Sequence, residues 1–224
     1  MANKFLRFLH IQQRSGALGD WPISVFGGFA GILTVIAVTL YTLGQTDMNQ
    51  TAAAIIVASM GASAVLLFAV PHSALSQPWP LVVSHVIAAV IGVTCARYIP
   101  SAPFAAAAAV ALAIAAMHLL RCIHPPGGAT ALAAVVGGEA VQSLGFQFVL
   151  TPVLINVLTI LAVAMIVNYP FAGRRYPVSW ALKQDPYPDI SHADFVAALS
   201  EIETVVDVTE EDLLKIYDLV TRRR

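Results

Sequence analysis

Residues 117–138 read MHLLRCIHPPGGATALAAVVGG, which sets Arg121, His118, His124, the pair Pro125-Pro126 and the pair Gly127-Gly128 inside an apolar run. Pro125 disfavours helical geometry at His124, and Pro126 does the same at Pro125, so a helix must end near Ile123. Proline is well tolerated at the first position of a new helix, which makes Pro126 the start of a short one. The N–H groups of Gly127, Gly128, Ala129 and Thr130 then fall in its first turn, where no intrahelical acceptor exists. Such a terminus favours an anion, the glycines carry no Cβ to block its approach, and Arg121 supplies attracting charge just upstream. His118 and Cys122 stand four apart with His124 nearby, but no carboxylate or further ligand has a defined spacing, so neither a metal nor a cofactor is expected.

A second group lies in SMGASAVLLFAVPHSALSQP, where Ser59, Gly61, Ala62 and Ser63 form a small, weakly polar helix surface and the chain breaks at Pro71 beside His72. LLFAVPH and LLRCIHP resemble each other, and two interrupted segments in corresponding positions point to a binding site between them. Ser59, Ser63 and His72 therefore join Arg121, His124 and residues 127–130 as substrate-binding candidates, with Pro71, Pro125 and Pro126 as structural breaks. Histidine is the side chain whose ordinary pKa lies closest to neutrality, which makes His72, His85 and His124 candidates for proton coupling. Each residue also has a structural reading. Arg121 can snorkel to the headgroups, His124 can hold the turn, and the small residues, like Gly27-x-x-x-Gly31, can serve tight helix packing.

The elements that position these residues follow from composition. The chain has 224 residues, 58% hydrophobic and only 11% charged, and its mean hydropathy is +0.77; this is an integral membrane protein. Between residues 21 and 170 the only charged side chains are Asp47, Arg97, Arg121 and Glu139. A formal net charge of −1 excludes the basic face that nucleic-acid binding requires. Cys95 and Cys122 both lie in apolar runs, which argues against a disulfide framework.

A spanning helix needs about 20 apolar residues, and residues 22–43, 52–70, 81–99, 104–122 and 146–169 qualify. Residues 128–138 are only about half long enough. Lys4, Arg7 and Arg14 before the first span, and Arg174, Arg175 and Lys183 after the last, put both termini in the cytoplasm by the positive-inside rule. An even number of crossings follows, so residues 128–138, extended toward Leu144, complete a sixth as a broken helix rather than a re-entrant loop; Arg97 then lies on the outer side. Residues 1–20 read as an interfacial amphipathic helix, residues 21–172 as the transmembrane domain, and residues 173–224 as a cytoplasmic tail with two short amphipathic helices.

LLRCIHPPGGATAL, with GASAVLLFAVPHSALSQP upstream, SHVIAAVIGV between, and FVLTPVL and RRYPVSW downstream, resembles the HPP family of integral membrane proteins over residues 21–180. Members often carry Ala where this chain has Gly127, and the usual family description counts four helices. Plastid and cyanobacterial relatives are associated with nitrite transport, so the resemblance implies an anion carrier or channel.

The expected protein is all-α: a polytopic transmembrane helical bundle with a broken helix at the His-Pro-Pro motif and a short cytoplasmic helical tail. It is expected to sit in the inner membrane as a homo-oligomer, to pass a small monovalent anion, nitrite first, and to have no nucleic-acid partner. The rivals are a membrane-embedded enzyme using the histidines and a non-transporting sensor or scaffold acting through the tail. No paired acids stand in the membrane core to support the enzyme.

Overall fold

The computed structural model describes residues 20–43 and 50–180. The amphipathic N-terminal segment and the tail helices expected beyond residue 180 lie outside the described residues. Helices α1 (Trp21–Leu43), α2 (Gln50–Ala69), α3 (Pro78–Tyr98), α4 (Ala102–Leu119), α5 (Pro126–Val136), α6 (Gly138–Gln142) and α7 (Ile155–Asn168) follow in order. The expected helical bundle is the observed one.

Among the described residues, four helical segments are long and apolar enough to cross a membrane: Trp21–Thr42, Pro78–Tyr98, Ala102–Leu119 and Val149–Asn168. α2 has 20 residues and α5 only 11, about 16 Å at ~1.5 Å per residue against a hydrocarbon core of roughly 30 Å. The short helix nevertheless belongs to a complete pass through the bundle. Leu120 lies against the first turn of α3, where its carbonyl accepts from Trp79 Nε1 at 3.2 Å. Ala134 and Gln142 line a cavity with Arg97, in the last turn of α3. The non-helical link over residues 121–124 followed by α5 therefore covers the length of α3. The two flanks of the bundle also meet at one end, since Asp20, just before α1, lies 3.9 Å from Arg174, just after α7.

Boundaries differ from the sequence reading in three places. α3 begins at Pro78 rather than near residue 81, because prolines at 78 and 80 fit its first turn. α4 ends at Leu119 rather than near Ile123. Arg121 has φ 50, its N–H donates to His118 O at 3.2 Å, and that of Cys122 donates to Met117 O at 2.9 Å. This is the left-handed Schellman ending that normally uses glycine, and it closes the helix before Pro125 can. The last pass is helical from Val149, and Thr151 leaves helical geometry (φ −130, ψ 110) at the residue before Pro152.

Small residues set the spacing between helices. α4 buries Ala105, Ala109, Ala113 and Met117, one residue per turn, so the α3 and α5 backbones lie close to it. Phe68 fills a groove on α1, where a Cβ at Gly27 or Gly31 would stand 2.4 or 2.7 Å from its ring. The small-residue pair in the first helix thus serves packing within the chain. At the seam of α3 and α5 the neighbour is backbone: a Cβ on Gly92 would lie 2.5 Å from Ala131 O and 2.8 Å from Ala134 Cβ. Backbone cannot yield there as a side chain would. Gly92→Val should therefore lower stability by about 1–3 kcal/mol, the usual range for overpacking, in thermal unfolding of the detergent-solubilised protein. Gly61→Ala, where a Cβ meets nothing within 4 Å, should leave the melting temperature unchanged; equal effects would refute this account of the seam.

Candidate functional site

The two breaks lie at the same end of the bundle and pack against one another. The first runs from Pro71 to Gln77 and contains a 3-10 turn, Ala74–Ser76; the second is the non-helical stretch over residues 121–124. His124 joins them, with Nδ1 at 2.8 Å from Leu75 O. Its Nε2 lies 2.9 Å from Ser63 Oγ, the same oxygen lies 2.9 Å from His85 Nε2, and His85 Nδ1 lies 2.7 Å from Thr130 Oγ1. Ser63, His85 and His124 are 0% exposed and Thr130 is 1% exposed. One hydrogen-bonded chain thus ties α2, α3, α5 and both breaks together, about 10 Å into α3 at ~1.5 Å per residue.

Its proton order follows from the atoms at its end. The Leu75 carbonyl can only accept, so His124 Nδ1 donates and, in the neutral ring, Nε2 accepts. Ser63 must then give its hydroxyl hydrogen to His124, accept from His85 Nε2–H, and leave His85 Nδ1 to accept from the Thr130 hydroxyl. Every donor in the series points from Thr130 toward Leu75. Neutral imidazoles admit no other complete pattern.

A second polar group closes the carboxyl end of α2, where helix carbonyls lack partners. Asn168 Nδ2 donates to Leu67 O at 3.1 Å, Arg174 donates to Phe68 O, and Ser76 Oγ donates to Leu66 O at 3.1 Å and Val70 O at 3.0 Å. Tyr176 O–H donates to Ser76 O at 2.8 Å. Burial lowers the pKa of the Arg174 guanidinium from its ordinary value, against the raising effect of Asp20. Burial raises that of the Tyr176 phenol, which stays a donor.

The sequence-derived candidates divide sharply. Ser63, His124 and Thr130 meet in the network. Ser59 lies one turn before Ser63 and donates to Ile56 O at 3.0 Å. His72 stands in the first break with its buried Nε2 unpartnered among the described residues. Arg121 is exposed at the break end, outside the buried network. The glycine N–H groups are not free, because Gly127 N donates to His124 O at 2.9 Å and Gly128 N to Pro125 O at 3.0 Å. The chain has already turned at Pro125, which is helical at φ −53, ψ −36, and this brings those acceptors within reach. A Cβ on Gly128 would meet nothing within 4 Å, and one on Gly127 would meet Met117 Cε at 2.6 Å and Ser84 Oγ at 3.1 Å. Ala129 is exposed. His118 is exposed whereas Cys122 is buried, and no group of three metal-ligating side chains occurs among the described residues.

His85 was recognisable in sequence only as a titratable ring. Its weight comes from contacts across 22 and 45 positions, though a histidine inside a span is by itself a functional signal.

Ser63→Ala should leave both Nε2 atoms unpaired and destabilise the solubilised protein by on the order of 1–3 kcal/mol for each, whereas Ser59→Ala should cost far less in the same melt. Arg121→Gly should have the opposite sign. Removing a left-handed non-glycine residue should raise stability by roughly 1 kcal/mol, and an unchanged melting temperature would count against the Schellman ending.

The family profile described as HPP, transmembrane region, matches residues 13–177. Two proteins of Dictyostelium discoideum, each described as a transmembrane protein, are similar to this chain. One is 40% identical over 161 residues, covering 70% of this chain and 50% of the relative. The other is 39% identical over 156 residues, covering 68% and 53%. The chain spans about half the length of these curated relatives. No solved structure matches.

Proposed function

The chain belongs to the HPP transmembrane family, and from that premise we propose that it is a carrier or channel for a small monovalent anion, nitrite first among the candidates. The observation that supports this reading is the Ser63–His85–His124–Thr130 network, a fully buried polar chain at the meeting of two interrupted helices. Broken helices that meet inside a bundle are a recurrent construction in transporters.

The network has the donors an anion needs. Ser63 and Thr130 hydroxyls can turn from ring nitrogens to an entering oxyanion, exchanging one hydrogen bond for another. The ring nitrogen each leaves behind then accepts a proton. An uncompensated anion in this apolar interior would be costly, and a proton taken up by His85 or His124 offsets its charge. Flux should therefore rise when the side supplying the anion is the more acidic. Arg121, exposed at the break end, draws the anion toward the entry. The same proposal puts the break end in the cytoplasm of the inner membrane, with both termini on that side and a homo-oligomeric assembly.

We read the protein as a carrier rather than an enzyme, although Ser63 between two histidines has the look of an activated nucleophile. Among the described residues no carboxylate orients either ring, and the Gly127 and Gly128 N–H groups, the natural oxyanion donors, are already engaged. Labelling of Ser63 by a fluorophosphonate would favour the enzyme instead.

Purified protein in liposomes, offered nitrite, nitrate, formate, chloride and bicarbonate under a pH gradient, tests the function directly. Nitrite uptake above empty liposomes is expected. Arg121→Gln should remain inserted and lose most of that flux, and Arg121→Lys should recover part of it because the planar fork is lost. Flux at the original rate in Arg121→Gln would remove Arg121 from the path, and no selective flux of any of the five anions would remove the function.

A further inference from the structure

The end of the bundle opposite the breaks holds a cavity of about 350 Å³ lined by Arg97, Gln142 and Ser143 together with small and apolar residues such as Val93, Ala134 and Val141. It lies where α3, α5 and α6 finish, roughly 18 Å along α3 from His85 at ~1.5 Å per residue. Arg97 is exposed, and no hydrogen bond or ion pair engages its guanidinium among the described residues. The other polar linings retain capacity. Gln142 Nε2 gives one hydrogen to Val135 O at 2.9 Å and keeps a second. The Ser143 hydroxyl donates only within its own turn, to Ala140 O at 3.1 Å, and is free to rotate. Glu139 is exposed and does not line the cavity.

We propose that this cavity is a binding site for a small oxyanion, the far mouth of the same pathway, with Arg97 supplying the charge and Gln142 and Ser143 the directed hydrogen bonds. The proposal rests on the anion-carrier reading and completes it: Arg121 stands at one end of the bundle and Arg97 at the other, with the neutral network between them. The opposing carbonyl ends of α3 and α5 bear partial negative charge, so Arg97 is the one attracting charge among the lining residues. That keeps the site weak enough to release what it collects, as conduction requires. A lipid phosphate offers the same chemistry, and the free anion is the occupant proposed.

The test is local labelling, read independently of flux. In a full-length background carrying Cys95→Ala and Cys122→Ala, Ser143→Cys is treated in lipid-free detergent with thiosulfonate reagents of opposite charge. The anionic reagent should react faster by roughly tenfold, the scale of local electrostatic attraction, and nitrite or nitrate should slow it. Arg97→Gln should abolish both the preference and the protection, while Arg97→Lys should keep the preference. Gln142→Cys serves the same purpose should Ser143→Cys fail to fold. Equal rates for the two reagents, or protection by phosphatidylglycerol vesicles with none by nitrite or nitrate, would overturn the site. If liposomes take up nitrite and labelling shows no protection, the cavity fails alone; if neither occurs, the carrier reading fails with it.

Discussion

Inside a bilayer a broken helix exposes backbone groups that neither water nor lipid can satisfy, and this constraint organises the whole bundle. The chain breaks twice at the same end, and each break supplies what the other lacks. Leu75 O receives His124 Nδ1–H, Leu120 O receives the Trp79 indole, and the carboxyl end of α2 is closed by Ser76 on one side and by Asn168 and Arg174 on the other. The segment after the last helix is thus part of the same solution, because Tyr176 and Val178 hold Ser76 and Gln77 in place.

The packing follows from where the breaks must sit. To bring His124 beneath Leu75 the chain turns inward immediately after Leu120, which leaves only 11 residues of helix to complete the pass. So short a helix has little surface of its own. It is held by close approach, through Gly92 on α3 and the alanine stripe on α4, and by the Thr130 hydrogen bond to His85. Glycine and alanine in these seams do what larger apolar side chains do in a water-soluble core, where burial itself drives association.

Much of this was legible from residue types. The charge desert between residues 21 and 170, the double proline and the lengths of the apolar runs were enough to read an all-α membrane bundle with a broken element after the fourth span. The helix end at Leu119 was not legible, because the stop is made by a left-handed arginine where propensity points to glycine. Nor was the engagement of the Gly127 and Gly128 N–H groups, which depends on Pro125 adopting helical angles before the helix formally starts. Ser63, His124 and Thr130 could each be picked out as a polar residue near a break, but their sharing of one network with His85 depends on contacts between distant parts of the chain. No local pattern records such contacts. Arg121 shows the converse: its position in the motif drew attention to it, yet its side chain stays outside the cluster its neighbours form.

The one-way order of donors from Thr130 to Leu75 has a bearing on assembly. A series that ends on a carbonyl has no mirror-image arrangement, so it can be completed only when α2, α3, α5 and the first turn are all in their final places. Sliding any one helix by a residue rotates its side chain about 100° from its partner and leaves at least one buried nitrogen or hydroxyl unpaired. Apolar faces made largely of alanine, valine and leucine are tolerant of such slippage. In a bundle whose seams are chemically almost uniform, these four side chains therefore act as a registration mark, distinguishing the native alignment from neighbouring ones of similar packing.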